Sequence, residues 1–241
     1  MQTAGSRPSR PIYLITGTSR GVGREMAQIF AESEALVIGC SRGIATFESE
    51  FYEHYQVDLT DEVQVRKWVR EVRAKHARID ALVCNVGLVQ SALFLSVTPT
   101  KLFNDFIQTN LSTAFLVCRE VSKAMTTQQY GRIVTISSIM TALHEPGTSI
   151  YSATKSALTE MTKVLARELA PVGVTCNVVA PALMNTETSE TMGAEWRARI
   201  LEKQTIQRAL EIRELCHAVS FFTSPHSSYV TGQVMNLCLV N

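Results

Sequence analysis

The sequence lacks the marks of a membrane, secreted or nucleic-acid-binding protein. It has no apolar run near the roughly 20 residues that a membrane-spanning helix needs. Its formal net charge is only +1 and no basic face stands out, so neither nucleic acid nor an anionic membrane is an expected partner. Residues 1–10 are polar and lack the apolar core of a signal peptide, so we expect a disordered tail there.

Metal-binding and disulfide patterns are also missing. The six cysteines are far apart in the sequence and form no Cys-x-x-Cys pair. We therefore expect buried free thiols in a reducing compartment, no metal site and a cytoplasmic location.

The length, the apolar content and the alternation of predicted strands and helices favour one α/β domain. The chain has 241 residues, of which 46% are apolar, and it shows no internal repeat, low-complexity tract or linker. Apolar runs typical of strands alternate with segments of helical periodicity, which predicts a Rossmann-type doubly wound parallel sheet of about seven strands over residues 11–241. The predicted strands are 11–16, 35–40, 55–59, 79–85, 132–138, 174–179 and 234–240. The predicted helices are 24–32, 62–76, 100–125, 149–169 and 212–223, with a helical stub at most between 43 and 55 and a mobile lid over 187–203.

A glycine-rich turn follows the first predicted strand. It reads Gly17-Thr-Ser-Arg-Gly21-Val-Gly23 and leads directly into a helix. Glycines let the backbone approach a pyrophosphate at the positive end of a helix, so the turn predicts a dinucleotide site. Ordinary turns also use such triplets, and only the flanking strand and helix favour the dinucleotide.

Ser41 and Arg42 follow the second predicted strand, where a Rossmann unit contacts the adenosine ribose. An acidic residue at this place would accept a hydrogen bond from a ribose 2′-hydroxyl, and the sequence has none until Glu48. Ser41 and Arg42 therefore favour a cofactor that carries a 2′-phosphate. The alternative is that Arg42 is a solvated surface arginine.

Tyr151 and Lys155 are four residues apart in a predicted helix, so they share one face of it. We expect the ammonium to lower the pKa of the phenol toward neutrality and so to fit the phenol for proton transfer at a carbonyl oxygen. Ser138, at the end of a predicted strand, can hold the same oxygen. Asn110 is a poor helix former in the middle of a predicted helix, which suggests a polar role. Alone, the Tyr-Lys pair is more often a coincidence of helical spacing.

Together these residues resemble the short-chain dehydrogenase/reductase family over residues 11–238. The glycine turn matches the family's cofactor motif, and Asn85 and Gly87 stand in its Asn-Asn-Ala-Gly segment. Asn110, Ser138, Tyr151 and Lys155 match its catalytic four, and Pro181 and Thr186 match its nicotinamide segment. The sequence is most similar to the NADPH-dependent 3-oxoacyl-[acyl-carrier-protein] reductases.

The resemblance implies roles for these residues. Tyr151 is the acid in reduction, Lys155 lowers its pKa and holds the nicotinamide ribose, Ser138 orients the carbonyl, and Asn110 places a water for a proton relay. The implied cofactor is NADPH/NADP+, without a metal. The implied cofactor-binding residues are Gly17, Ser19, Arg20, Gly21, Val22, Gly23, Ser41, Arg42, Asp58, Leu59, Asn85, Gly87, Tyr151, Lys155, Pro181, Met184 and Thr186.

Departures from the family pattern concern the substrate. Ala182 and Thr141 replace glycines beside the implied substrate pocket, and Val172 replaces an arginine that meets an acidic carrier protein, while Arg132 keeps the other. The expected activity is reduction of a ketone, a 3-oxoacyl thioester or a related substrate, possibly on an acyl carrier protein. The alternatives are a reductase of free small ketones and a catalytically silent dinucleotide-binding sensor. The resemblance also implies a homotetramer, or else a dimer, paired through helices 100–125 and 149–169.

Overall fold

A parallel sheet forms the centre of the chain. The structure is a computed structural model that describes residues 10–89, 92–190 and 192–240. Its seven strands run in the order β3-β2-β1-β4-β5-β6-β7, and every neighbouring pair is parallel. The strands are β1 (Ile12–Thr16), β2 (Leu36–Ser41), β3 (Tyr52–Gln56), β4 (Ala81–Cys84), β5 (Gly131–Ile136), β6 (Val174–Ala180) and β7 (Val234–Asn236). The predicted doubly wound sheet is confirmed.

Helices cover both faces of this sheet and create two apolar cores. One core contains Trp68 and Val117 and the other contains Met26 and Val219. Because both faces are covered, the inner strands β1, β4, β5 and β6 are buried along their whole length rather than at alternate positions. The helices are α1 (Gly21–Glu32), α2 (Glu62–His76), α3 (Thr100–Phe106), α4 (Thr113–Gln128), α5 (Met140–Leu143), α6 (Ser149–Leu169), α7 (Glu187–Glu190), α8 (Ala194–Lys203) and α9 (Ile212–Thr223).

The strand order reverses between β1 and β4. β1 pairs with β2 on one side and with β4 on the other, so the connections on the two sides diverge at this point. In an open α/β sheet the crevice outside the carboxyl ends of such strands is the usual ligand site. The glycine turn after β1 and Asn85 after β4 both lie at that crevice.

Several element boundaries differ from those predicted from the sequence. β3 ends at Gln56 instead of residue 59, because its register with β2 pairs residues 52–56 with 37–41. Residues 43–51 contain no helix, β5 stops two residues before Ser138, and β7 is three residues long. The lid segment consists of α7 and α8. The bounds of α2 and α9 are as predicted.

The long helix predicted over residues 100–125 is interrupted. α3 and α4 are joined by a π-helical segment, Ile107–Ser112, that contains Asn110. π-helical turns inside α-helices are frequent at functional sites, so the irregularity lies where the sequence placed a polar role.

The structure can be compared with the expectations about membrane spans, cysteines and the N-terminal tail. Within the described residues no helix is long and apolar enough to cross a membrane. All six cysteines are free, and five of them are buried. Residues 1–9 lie outside the described residues, so the disordered tail stays a prediction, as does the cytoplasmic location.

Candidate active site

The glycine turn fits closely against the start of α1. A Cβ added to Gly23 would come within 2.2 Å of the Gly17 carbonyl oxygen and 2.4 Å of Asn85 Nδ2, so only glycine allows this approach. Gly21 has a φ of +53°, and an added Cβ there would meet nothing within 4 Å. The turn is therefore packed on its inner side and open on the side where α1 begins, where backbone N–H groups favour an anion.

Thr16, the last residue of β1 and the one before the glycine turn, joins the ends of β1 and β4. Its hydroxyl oxygen accepts hydrogen bonds from the backbone N–H groups of Asn85 and Val86, at 3.0 and 3.2 Å. The Asn85 side-chain amide donates in return to the Thr16 carbonyl oxygen at 3.0 Å. These bonds fix Asn85 beneath the glycine turn.

Of the residues assigned to the adenosine end, Ser41 and Arg42 lie at the end of β2, Asp58 follows β3, and Arg20 lies in the turn after β1. Ser41 is half-buried, and Arg20 and Arg42 are exposed. Asp58 accepts hydrogen bonds from the Thr60 backbone N–H and hydroxyl, and these bonds, with a smaller contribution from Arg42, lower the pKa of its carboxyl. The region therefore presents two arginines and an ionised aspartate at one edge of the crevice.

Ser138 and Tyr151 face a common pocket. Both line the pocket, and the Ser138 hydroxyl accepts a hydrogen bond from the Met140 backbone N–H at 3.2 Å. Phe106 packs edge-on against the Tyr151 ring, with the centroids 6.3 Å apart. The structure therefore brings a phenol and a hydroxyl to the same pocket.

Lys155 lies deeper than Tyr151, one turn further along α6. Its ammonium is buried and donates a hydrogen bond to the Ile136 carbonyl oxygen at 2.8 Å. A Cβ added to Gly87 would lie 3.1 Å from Lys155 Nζ and 3.7 Å from Asn110 Oδ1. Glycine at position 87 thus lets the loop after β4 approach the lysine and the asparagine.

Asn110 holds that loop in place. Its side-chain oxygen accepts from the Leu88 backbone N–H at 2.5 Å, and its amide donates to the Leu88 carbonyl and to the Thr154 hydroxyl at 3.1 Å each. The side chain is fully buried. Its amide is thus committed to the loop after β4 and to α6, which fixes both next to Lys155. The expected role in placing a water stays a prediction.

The expected pKa of Tyr151 differs in direction from the one found. Burial raises the pKa of the phenol, and the neighbouring Ser138 hydroxyl lowers it by less. Burial also lowers the pKa of Lys155 to about 8. The sequence pattern gave the spacing of the pair but not its desolvation, and desolvation disfavours the charged form of each group. Tyr151 is therefore a protonated acid at neutral pH.

The segment after β6 forms one wall of the pocket. Pro181, Met184 and Thr186, which the sequence analysis assigned to cofactor binding, line it. The Pro181 carbonyl accepts from the Ile139 backbone N–H at 3.1 Å, which ties this segment to the one that carries Ser138. None of the described residues that line the pocket is charged, and most are apolar: Val89, Leu93, Leu102, Phe106, Met140, Ile150, Ala182, Leu183, Met184, Met192 and Trp196.

Glu145 anchors the lid helix α8 and was not found from the sequence. Its carboxylate is 1% exposed and bonds Arg199 at 2.8 Å and Lys203 at 2.5 Å. These two cations lower the pKa of the carboxyl against the opposing effect of burial. α8 is therefore tied to the loop immediately before the helix that carries Tyr151.

Arg132 does not have the position that the carrier-protein assignment requires. It is 2% exposed, and its guanidinium donates to the backbone carbonyls of Gly131, Gly173, Ser224 and Pro225. A side chain buried among carbonyls cannot meet an acidic surface, so the expectation that Arg132 contacts a carrier protein is wrong. The sequence shows an arginine at the matching position but not its burial.

Comparison with known proteins decides the family. The profile of the short chain dehydrogenase family matches residues 11–196. The chain belongs to that family. It is 32% identical to the 3-oxoacyl-[acyl-carrier-protein] reductase FabG of Escherichia coli (strain K12), over 94% of this chain and 95% of the relative. It is 29% identical to the same reductase of Haemophilus influenzae (strain ATCC 51907 / DSM 11121 / KW20 / Rd), over 94% of this chain and 96% of that one.

Solved structures agree with this placement in the short-chain dehydrogenase family. The structure of ElxO with NADP bound has a TM-score of 0.87 and 29% identity, covering 94% of this chain and 96% of that one. A tyrosine-to-phenylalanine variant of ElxO with NADPH bound has the same TM-score at 28% identity and the same coverage. The prediction of a short-chain oxidoreductase is confirmed.

Proposed function

We propose that this protein is an NADPH-dependent ketoreductase that reduces the keto group of a 3-oxoacyl thioester. The observation that carries the proposal is the protonated Tyr151 phenol, which lines an uncharged, mostly apolar pocket together with the Ser138 hydroxyl. The relatives named as 3-oxoacyl-[acyl-carrier-protein] reductases support the substrate class. The similar structures with bound NADP and NADPH support the cofactor, in agreement with the sequence prediction.

The residues present fit the cofactor. The open side of the glycine turn at Gly21 accepts the pyrophosphate, and Ser41, Arg42 and Arg20 are the groups for a 2′-phosphate. Lys155 and the segment from Pro181 to Thr186 are the groups for the nicotinamide end. When bound, the cofactor supplies a hydride for the carbonyl carbon.

The chain supplies the proton and the orientation. The Ser138 and Tyr151 hydroxyls donate hydrogen bonds to the carbonyl oxygen, which fixes the carbonyl and stabilises negative charge that develops there. The phenol of Tyr151 then transfers its proton to that oxygen, which completes the alcohol. Lys155, charged below its pKa of about 8, stabilises the phenolate that remains until a proton returns.

A free apolar ketone is the second candidate substrate. It is favoured by the absence of charge among the described lining residues and by the burial of Arg132, which removes one expected contact with an acidic carrier. An acyl chain and a hydrophobic free ketone both suit an apolar pocket. The two candidate substrates differ only in whether a thioester is present.

A matched substrate series separates the candidates. One 3-oxoacyl group is presented on an acyl carrier protein, on N-acetylcysteamine and as the corresponding methyl ketone, and NADPH oxidation is followed. The proposal expects both thioesters to exceed the ketone in kcat/KM by at least about tenfold, the size of one lost hydrogen-bonded contact. A preference for the ketone supports the second candidate instead. A lack of NADPH oxidation with all three substrates, despite NADPH binding, contradicts both and supports the silent sensor.

A further inference from the structure

A chain of four polar side chains runs beneath the site assigned to the 2′-phosphate. Thr18 Oγ1 lies 2.8 Å from the Tyr52 hydroxyl, and that hydroxyl lies 2.6 Å from His54 Nδ1. His54 Nε2 lies 3.1 Å from Ser41 Oγ. The chain therefore connects the glycine turn, through the edge strand β3, to the serine at the end of β2.

The backbone is shaped to admit this chain. Gly39 pairs with His54 in the sheet, and a Cβ added to Gly39 would lie 2.3 Å from Thr18 Oγ1 and 2.5 Å from the Tyr52 hydroxyl. Any other residue at position 39 would therefore push the Thr18–Tyr52 contact apart. The closeness of these groups follows from a specific glycine rather than from chance placement of surface side chains.

The hydrogen bonds can be satisfied with His54 neutral or charged. In the neutral ring, Nε2–H donates to the Gly43 carbonyl at 2.9 Å and Nδ1 accepts from the Tyr52 hydroxyl. In the charged ring, Nδ1–H donates to the Tyr52 oxygen, and the Tyr52 hydroxyl turns to donate to Thr18. Neither state leaves a ring nitrogen without a partner, so the chain accommodates both states.

We propose that His54 is a specificity-determining residue for the 2′-phosphate of the cofactor. Its charged form adds a cation one side chain behind Ser41, so it strengthens binding of NADP(H) and has little effect on NAD(H). This inference rests on the proposed placement of the 2′-phosphate at Ser41 and Arg42. By linkage, a bound 2′-phosphate favours the charged ring of His54, because the two charges are opposite.

Two other titratable groups of this cluster stay neutral, and several cations lie on adjoining segments. Burial raises the pKa of the Tyr52 phenol and raises that of the Cys40 thiol on β2 to about 12, so both stay neutral. The cations on adjoining segments are Arg20, Arg42 and Arg24, and Arg24 of α1 donates to the Thr46 carbonyl at 3.3 Å.

The acidic groups near β3 are either exposed or paired with cations of α2. Glu48 and Glu50 are exposed in the loop before β3. Glu53 and His54 are neighbours in β3, so their side chains point to opposite faces of the sheet. The Glu53 carboxylate pairs with Lys75 and His76 of α2. His76 is therefore a matched control: it is a histidine beside the same strand, but on the opposite face.

The first experiment measures dissociation constants of NADP+ and NAD+ between about pH 6.5 and 8.5, a range above the phosphate's own pKa near 6. In the wild type we expect the preference for NADP+ to rise about three- to tenfold as the pH falls, the equivalent of about half to one pKa unit of coupling. In His54→Gln this rise should disappear, and in His76→Gln it should match the wild type. A His54→Gln profile that keeps the wild-type rise would overturn the proposal.

The second experiment needs no folded variant. The ring C–H resonance of His54 is titrated by NMR in the wild type with NADP+ and with NAD+. We expect a pKa higher by about half to one unit in the NADP+ complex. Equal values in the two complexes would overturn the inference about His54.

An Arg42→Ala variant separates failure of this inference from failure of the cofactor placement. If its preference for NADP+ falls while the pKa of His54 is insensitive to the 2′-phosphate, only the role of His54 is wrong. If its preference is unchanged, the 2′-phosphate does not lie at Ser41 and Arg42, and both proposals about this end of the cofactor are wrong.

Discussion

At the scale of single residues, burial sets the state in which Tyr151 and Lys155 begin the reaction. The phenol has a raised pKa and the lysine a lowered one, so the two groups are less charged than their sequence spacing suggests. A phenol that holds its proton at neutral pH suits the reductive direction, in which the proton must be given to the substrate.

Replacing Tyr151 by phenylalanine removes that proton and leaves the ring in place. We expect kcat for ketone reduction to fall by about 10²–10⁴-fold, the usual contribution of general acid catalysis. NADPH affinity, measured by fluorescence titration, should change by less than about threefold, since the phenylalanine fills the same volume against Phe106. Activity within about threefold of the wild type would exclude Tyr151 as the acid.

The lowered pKa of Lys155 predicts that activity falls at alkaline pH. Because its pKa is lowered to about 8, the ammonium is present below that pH and is lost above it. We expect kcat/KM for reduction to be constant up to about pH 7.5 and to fall about tenfold per unit beyond about pH 8. In Lys155→Arg, which stays charged at these values, any residual activity should lack this limb. A wild-type profile that is flat to about pH 9.5 would contradict the assignment.

At the scale of elements, the start of α1 packs closely against the turn before it. Gly23→Ala places a methyl group 2.2 Å from the Gly17 carbonyl oxygen, so the helix must shift away from the turn. We expect a loss of about 1–3 kcal/mol in the free energy of unfolding, as for other overpacked sites, together with weaker NADPH binding.

Gly43→Ala is the control for that substitution, because a Cβ at position 43 would meet nothing within 4 Å. Urea unfolding followed by circular dichroism compares the two variants with the wild type. Equal midpoints for Gly23→Ala and Gly43→Ala would mean that the turn does not require the close approach described here.

The elements also show what could be predicted from the sequence. The bounds of α2 and α9 follow from local signals, such as Asp61, whose side chain caps α2 by accepting from the Val63 backbone N–H at 2.8 Å. The end of β3 depends on its pairing with β2 and could not be read locally. The π-helical turn at Asn110 likewise depends on the Leu88 loop, which is distant in sequence.

The same distinction applies to the candidate site. Tyr151, Lys155 and Ser138 were found because their chemistry and spacing are visible in the chain. The burial of Arg132 and the Glu145–Arg199 pair were not found, because each depends on segments that meet only in the folded protein. The direction of the Tyr151 pKa shift was missed for the same reason, since desolvation is a property of the packed site.

At the scale of the whole molecule, exposed apolar side chains on α3, α4 and α6 support the predicted homotetramer. Phe103, Phe115 and Val164 are each about half exposed. We expect light scattering at micromolar concentration to give a tetramer, or a dimer, and Val164→Lys to reduce the assembly, because a charge in an apolar contact is costly to desolvate.

Val63→Lys provides the control for the oligomer, since Val63 is equally apolar and 73% exposed but lies on α2. It should leave the mass unchanged. A wild-type monomer, or loss of assembly in Val63→Lys but not in Val164→Lys, would contradict pairing through α4 and α6.

The central claim is that this fold transfers hydride from NADPH to a ketone while Tyr151 supplies the proton. The most direct measurement incubates the enzyme with NADPH deuterated at the transferable C4 position and a 3-oxoacyl thioester, and analyses the product by mass spectrometry. We expect a 3-hydroxyacyl thioester with one deuterium on C3, and at least about 100-fold less of it with Tyr151→Phe. Product without deuterium at C3, or equal labelling by the Tyr151→Phe variant, would contradict the account.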